Sequence, residues 1–194
     1  MTRTTRQTRS VASEFHTTED GEALLIEGYF AVFNSNYNIA DGLSESIEPG
    51  AFTDTISGDV RALINHDTSF VLGRTKANTL TLKQDARGLW GKIVINPDDS
   101  DAMNLYARVK RGDVDQCSFG FDILEEETVF SDDGSSVHWK IKKVRLYEVS
   151  VCTFPAYEET SVKARQQDAA TAKAKKLEAW KSNMMKKIKE EKKC

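Results

Sequence analysis

With 194 residues, 39% of them hydrophobic and 29% charged, the chain is long enough to bury one sizeable core plus an appendage. No run approaches the roughly 18 apolar residues of a membrane-spanning helix, and the basic start "MTRTTRQTRSVASEF" lacks the apolar stretch of a secretory signal. Three cysteines without CxxC spacing argue against a disulfide framework and against a zinc site, and predict a reducing, cytosolic compartment.

Charge is unevenly placed. From Val162 onward eleven Lys/Arg stand against four Asp/Glu, whereas residues 1–161 carry sixteen basic and twenty-six acidic side chains. An acidic body is a poor nucleic-acid reader, so only the basic tail is suited to an acidic surface.

In chain order, residues 1–20 are polar and aperiodic and are expected to form a flexible basic tail. "EALLIEGYFAVF" (22–33) reads as a strand with a bend or bulge at Gly28. A loop follows, and Pro49-Gly50 then predicts a short helix over 51–58. "VRALINH" (60–66) alternates as a strand, and "TLTLKQD" with "GLWGKIVI" reads as a hairpin about Asp85 to Gly88. "PDDSDAMNLYARVKRG" carries helix signals at both ends and a stripe of Ala102, Tyr106 and Val109, with Met103 alongside. The strand "VDQCSFGFDIL" (114–124), an acidic turn, and the strands "VHWKIKKVRL" and "YEVSVCTF" complete the body. About seven strands with single inserted helices predict a mainly β fold, a closed barrel or sheet decorated by helices. Beyond about Asp168 the Ala/Lys/Glu composition predicts a basic helix. Its apolar seam is Leu177, Trp180, Met184 and Ile188. The division expected is a tail at 1–20, a body at 21–162 and a helical tail at 163–194.

Chemistry narrows to few residues. Of the three histidines, His16 falls in the N-terminal tail and His138 opens a strand as a surface histidine would. His66 ends a strand, where a side chain is held rigidly yet reaches solvent. Alternation places Ser118 on one face with Gln116 and Gly120, and Cys117 on the other with Phe119 and Phe121. The phenylalanine face is the better core face, so Cys117 reads as a small buried hydrophobe and Ser118 as the approachable nucleophile. Glu148 lies opposite the core face of its own strand, with Ser150 and Cys152. Either it holds His66, or it pairs with Arg145 or Lys143 at a sheet edge. Asp67 competes for the orienting role but, as a neighbour of His66, points away in an extended segment, and Ser69 is too close in sequence to serve as a strand-mounted nucleophile. Dispersed histidines and no acidic ligand cluster predict no metal, and the lack of any dinucleotide or phosphate loop predicts no cofactor.

The blocks "EGYFAVFNS", "ESIEPGAF", "INHD" with "LGRT", "GLWGKI", "CSFGFDI" and "LYEVSVCTFPAYEET" occur in that order. Together, over about residues 22–162, they resemble the prohead (capsid maturation) proteases of tailed phages of the Hong Kong 97 type. That family is related to the herpesvirus assemblins, which are serine proteases. The resemblance implies an assemblin-like closed barrel of about seven strands surrounded by helices. It carries the nucleophile onto Ser118, the base onto His66 and the third member onto Glu148, where assemblins have a second histidine. It also implies a serine endopeptidase acting inside the immature head, in the cytoplasm of a bacterial host. Its substrates would be scaffold or the scaffold-like segment of the capsid protein, and the chain itself. Oxyanion donors would come from around Pro155 and Ala156, while Arg74 sits in a family-like block without an assigned role. Self-association is compatible with this reading; nucleic acid and membrane are not expected partners. The competing expectation is a non-catalytic assembly module that binds coat or scaffold on the same barrel, with a small ligand-binding barrel the weaker third.

Overall fold

The computed structural model describes residues 3–12, 15–20, 23–154 and 159–191. Two sheets pack face to face. The first is built on a long hairpin of β10 (Gln116–Phe130) and β11 (Val137–Cys152). β1 (Arg3–Ala12) lies antiparallel on the outer edge of β10. The far edge of β11 takes two parallel strands end to end: β5 (Leu43–Ile47) along Val137–Ile141, and β6 (Arg61–Ile64) along Glu148–Val151. β4 (Tyr37–Ala40) pairs with β5, and β7 (Asp67–Arg74) with β6. The second sheet runs β2 (His16–Asp20), β3 (Ala23–Val32), β9 (Gly88–Ile95), β8 (Leu80–Gln84).

The core lies between the sheets. Cys117, Phe119, Phe121 and Ile123 of β10 and Val149 and Val151 of β11 are fully buried there, against Ile26, Phe30, Leu89 and Ile93. The period-2 pattern therefore puts the Phe119 face inward and turns Ser118, Gly120, Glu148 and Ser150 to the other side. Helix α1 (Ser100–Arg111) begins at Asp99, whose side chain accepts from the N–H groups of Asp101 and Ala102. It ends at Gly112 in the left-handed conformation. It buries Ala102, Leu105, Tyr106 and Val109.

Several expectations are corrected. Ladder hydrogen bonds among the described residues form two sheets of seven and four strands, not a closed barrel; the α-helices among them are α1 and α2 (Glu159–Glu191). Residues 51–58 form successive turns rather than a helix. The stretch 34–50 contains the β4–β5 hairpin, whose short polar strands carry too little alternation to stand out. Residues 3–12 and 16–20 are strand, because β10 and β3 respectively supply the backbone partners that their own sequence lacks. The first half of the acidic turn at 125–136 is the end of β10, and "VHWKIKKVRL" and most of "YEVSVCTF" are one strand. Helix α2 starts nine residues before Asp168.

Candidate active site

Strands β6 and β7 are joined by two residues only: Ile64 pairs with Asp67, and Asn65 and His66 occupy the turn with φ of +50° and +62°. Positive φ at both central positions is the type I′ hairpin, usually made by Asn-Gly. Asparagine and histidine are among the non-glycine residues that enter this region, which is sparsely populated and of the kind concentrated at functional sites. The turn is fastened to the end of β11. Asn65 N–H donates to the Val151 carbonyl at 3.1 Å, and its Oδ1 accepts from Thr153 N–H at 2.9 Å.

This tether swings the imidazole over β11. His66 Nδ1 lies 2.7 Å from Glu148 Oε1, and the side chains are 20% and 4% exposed. Ser150 closes the arrangement: its hydroxyl donates to Glu148 Oε2 at 2.7 Å and accepts from His66 N–H at 3.2 Å. A carboxylate against Nδ1 fixes the proton there and leaves Nε2 as the basic nitrogen. Nε2 is buried and bonds to nothing among the described residues. Among the described residues Glu148 meets His66 and Ser150 rather than a cation at a sheet edge, and Lys143 instead meets Asp54 at 2.6 Å.

Ser118 is brought to the same patch from β10. Its Cα partner on β11 is Ser150, and Gly120, two residues on, faces Glu148. The Glu148 carboxylate leans over β10, so a Cβ at Gly120 would overlap Oε1 and lie 3.1 Å from the carboxyl carbon. Imidazole, carboxylate and serine hydroxyl thus share one sheet face within two residue steps. Ser118 is nonetheless fully buried, and its hydroxyl donates to the Arg9 carbonyl of β1 at 2.9 Å rather than to His66.

Other candidates sit elsewhere. Cys117 faces the core, with its Sγ 3.0 Å from the Tyr29 carbonyl. Burial pushes the Cys152 thiol up to about 12, so it is no thiolate at neutral pH. Asp67 accepts from Ser69 N–H at 2.8 Å, and both are exposed. His16 is exposed on β2. His138 is clamped between the hydroxyls of Ser44 and Ser46, each 2.9 Å from a ring nitrogen. Arg74 makes a two-pronged pair with Asp59 at 2.6 Å per contact, which makes it a brace for the start of β6; its hydrogen bond holds the Asp59 carboxyl down to about 2. The expected oxyanion segment at Pro155 and Ala156 lies outside the described residues. Among the described residues no three His, Cys, Asp or Glu gather to hold a metal, and no helix is long and apolar enough to cross a membrane.

Sequence reasoning missed the parts played by Ser150 and Asn65. The signal for Asn65 was present: a tolerant residue beside a histidine between two strand runs marks a tight turn.

Comparison with known proteins adds three findings. The sequence model of the family described as "Caudovirus prohead serine protease" matches residues 11–175. The prohead protease of Enterobacteria phage HK97 is 29% identical over 172 residues, covering 87% of this chain and 72% of that protein. The structure of the bacteriophage T4 capsid assembly protease superposes with a TM-score of 0.53 at 12% identity, covering 77% of this chain and 98% of that one, a likeness of fold.

Proposed function

Because the chain belongs to the caudovirus prohead serine protease family, we propose that it is a serine endopeptidase of prohead maturation, with Ser118 as nucleophile, His66 as base and Glu148 as the group that orients His66. Its substrates are scaffold or the scaffold-like segment of the capsid protein, cut inside the immature head in the bacterial host. The observation that carries this reading is the His66 Nδ1 to Glu148 Oε1 contact of 2.7 Å, beside a buried Nε2 with no partner among the described residues.

In the reaction, Ser118 Oγ adds to the scissile carbonyl carbon while His66 Nε2 takes its proton. Glu148 stabilises the resulting imidazolium, and His66 then returns the proton to the departing amine. Water, activated the same way, releases the acyl group from Ser118. Ser150 steadies both Glu148 and the His66 backbone, so the carboxylate keeps its angle as charge develops.

The test is co-expression with the capsid protein of the same phage, read by intact-mass spectrometry. The wild type should shorten the capsid or scaffold chain and Ser118→Ala should leave it whole. Uncleaved substrate in both arms would leave the non-catalytic assembly module standing. Cleavage by Ser118→Ala but not by Cys117→Ala would move the nucleophile to the neighbouring residue.

A further inference from the structure

The N-terminal strand occupies a place that a peptide substrate would need. β1 is bonded antiparallel along β10, with Ser10 opposite Ser118 and Arg9 opposite Phe119. The carbonyl that receives the Ser118 hydroxyl is that of Arg9, so the peptide bond in the reacting position is Arg9–Ser10. Without β1, the ladder groups on that side of β10 would be an open edge, the template on which extended peptides add as an extra strand.

The Arg9 side chain passes to the face opposite that of Ser118 and is almost wholly buried. Its Nε donates to the fully buried Glu45 of β5, and its guanidinium lies 5.8 Å from the Phe121 ring centroid. Glu45 is a fixed feature of the body, because Arg165 of α2 holds its other oxygen at 3.0 and 3.2 Å. A permanent core satisfies its buried polar atoms, yet Arg9 Nη2 is buried without a partner among the described residues. That pattern fits a recess filled by a guest. The family match begins at Val11, within β1.

We propose that β1 is a tethered stand-in for substrate: the substrate strand adds to the edge of β10 with an arginine before the scissile bond, and Glu45 recognises that arginine. This rests on the serine-peptidase reading above for the chemistry, though not for the binding. In the step itself, Ser118 Oγ bonds to the carbonyl carbon of that arginine as its proton passes through His66 to the nitrogen of the next residue, which leaves. Water then frees the arginine as a carboxylate and restores the Ser118 hydroxyl. While β1 stays seated, Ser118 is covered, so release of β1 precedes turnover on other chains.

The experiment uses the full-length chain with Arg9→Glu, which sets two carboxylates against each other at Glu45, and with the milder Arg9→Ala. A fluorophosphonate probe should label Ser118 at least tenfold faster in both variants than in the wild type, with Ser118→Ala as the baseline. A synthetic peptide copying residues 1–14 should protect Ser118 in these variants, and the same peptide with glutamate in place of its ninth residue should not. Glu45→Gln combined with Arg9→Ala should lose at least tenfold of that protection. Measurable labelling that is equal in wild type and variants, or protection indifferent to the peptide's arginine, overturns the proposal. Hydrogen exchange of the amides in 116–121 gives a readout independent of Ser118 reactivity and should quicken in both variants. Faster exchange with no labelling anywhere would sink the nucleophile and leave the strand site standing; unchanged exchange would sink the strand site itself.

Discussion

Gly120 makes room for the Glu148 carboxylate: a Cβ at residue 120 would overlap Oε1, the oxygen that meets His66. Gly120→Ala should therefore push that carboxylate off the imidazole without altering any reacting group. A shift of about 1 Å at an orienting group costs on the order of 100-fold in rate. Peptidase assays should show that loss while circular dichroism stays native. Full activity in Gly120→Ala would mean that the His66–Glu148 contact does not matter for the reaction.

Glu148→Gln preserves volume but replaces an acceptor with a group that can offer His66 Nδ1 an amide donor, favouring the wrong tautomer. The expected fall in kcat is on the order of 10³–10⁴, with KM little changed, since the lost interaction acts in the transition state. A rise in KM with kcat unchanged would place Glu148 in substrate binding instead.

The strands that carry the site were legible because their chemistry is alternation. Cys117, Phe119 and Phe121 against Ser118 and Gly120 is a two-period pattern, and the structure places each set on its own face. The caps of α1, Asp99 and Gly112, were legible for a similar local reason. What could not be read was pairing. β1 is polar and aperiodic, and it is a strand only because β10 offers it a ladder and Glu45 takes its Arg9. Likewise the two parallel strands on β11, and with them the distance from His66 to Glu148, depend on contacts 82 residues apart. No closed barrel follows from counting strands, because closure is a property of register rather than of number.

The turn that aims His66 makes its own prediction. Asn65 sits at φ +50° and uses its side chain to accept from Thr153 N–H. A β-branched residue tolerates that conformation badly and cannot make the bond. Asn65→Val should cost about 1–3 kcal/mol in urea denaturation and lower activity beyond what the stability loss explains. Asn65→Gly, which restores the φ but not the bond, should recover most of the stability. Equal losses for the two variants would show that backbone strain is not the cause.

His138 offers a pH signature separate from the site. Burial first, and Lys140 second, hold its pKa below the ordinary 6.5. The folded chain thus binds fewer protons than the unfolded chain once pH drops below about 6.5. Its contribution to stability is complete above that value and is lost as pH falls from there through the lower folded value. Melting temperatures between pH 7.5 and 5 should decline more steeply for the wild type than for His138→Gln. Parallel declines would assign the acid sensitivity to other groups.

Helix α2 divides into a part that belongs to the core and a part that does not. Arg165 is fully buried, stacks 4.6 Å from the Trp139 ring centroid, and bonds to Glu45 and Glu126. Removing it strands buried carboxylates, so Arg165→Ala should cost about 3–5 kcal/mol. By contrast Leu177, Trp180, Met184 and Ile188 are 40–59% exposed, so the seam that the sequence suggests stays largely open, with Leu177 and Trp180 lining a recess beside Phe130. A chain ending after Lys176 keeps Arg165, Asp168 and Ala169 and should unfold within about 0.5 kcal/mol of the full chain, with unchanged hydrolysis of a peptide substrate. Loss of stability on that truncation would show that the seam is covered in solution. The same truncation leaves the anchor of Glu45 in place, so labelling of Ser118 should also be unaffected, which separates the two ends of the helix by function as well as by energy.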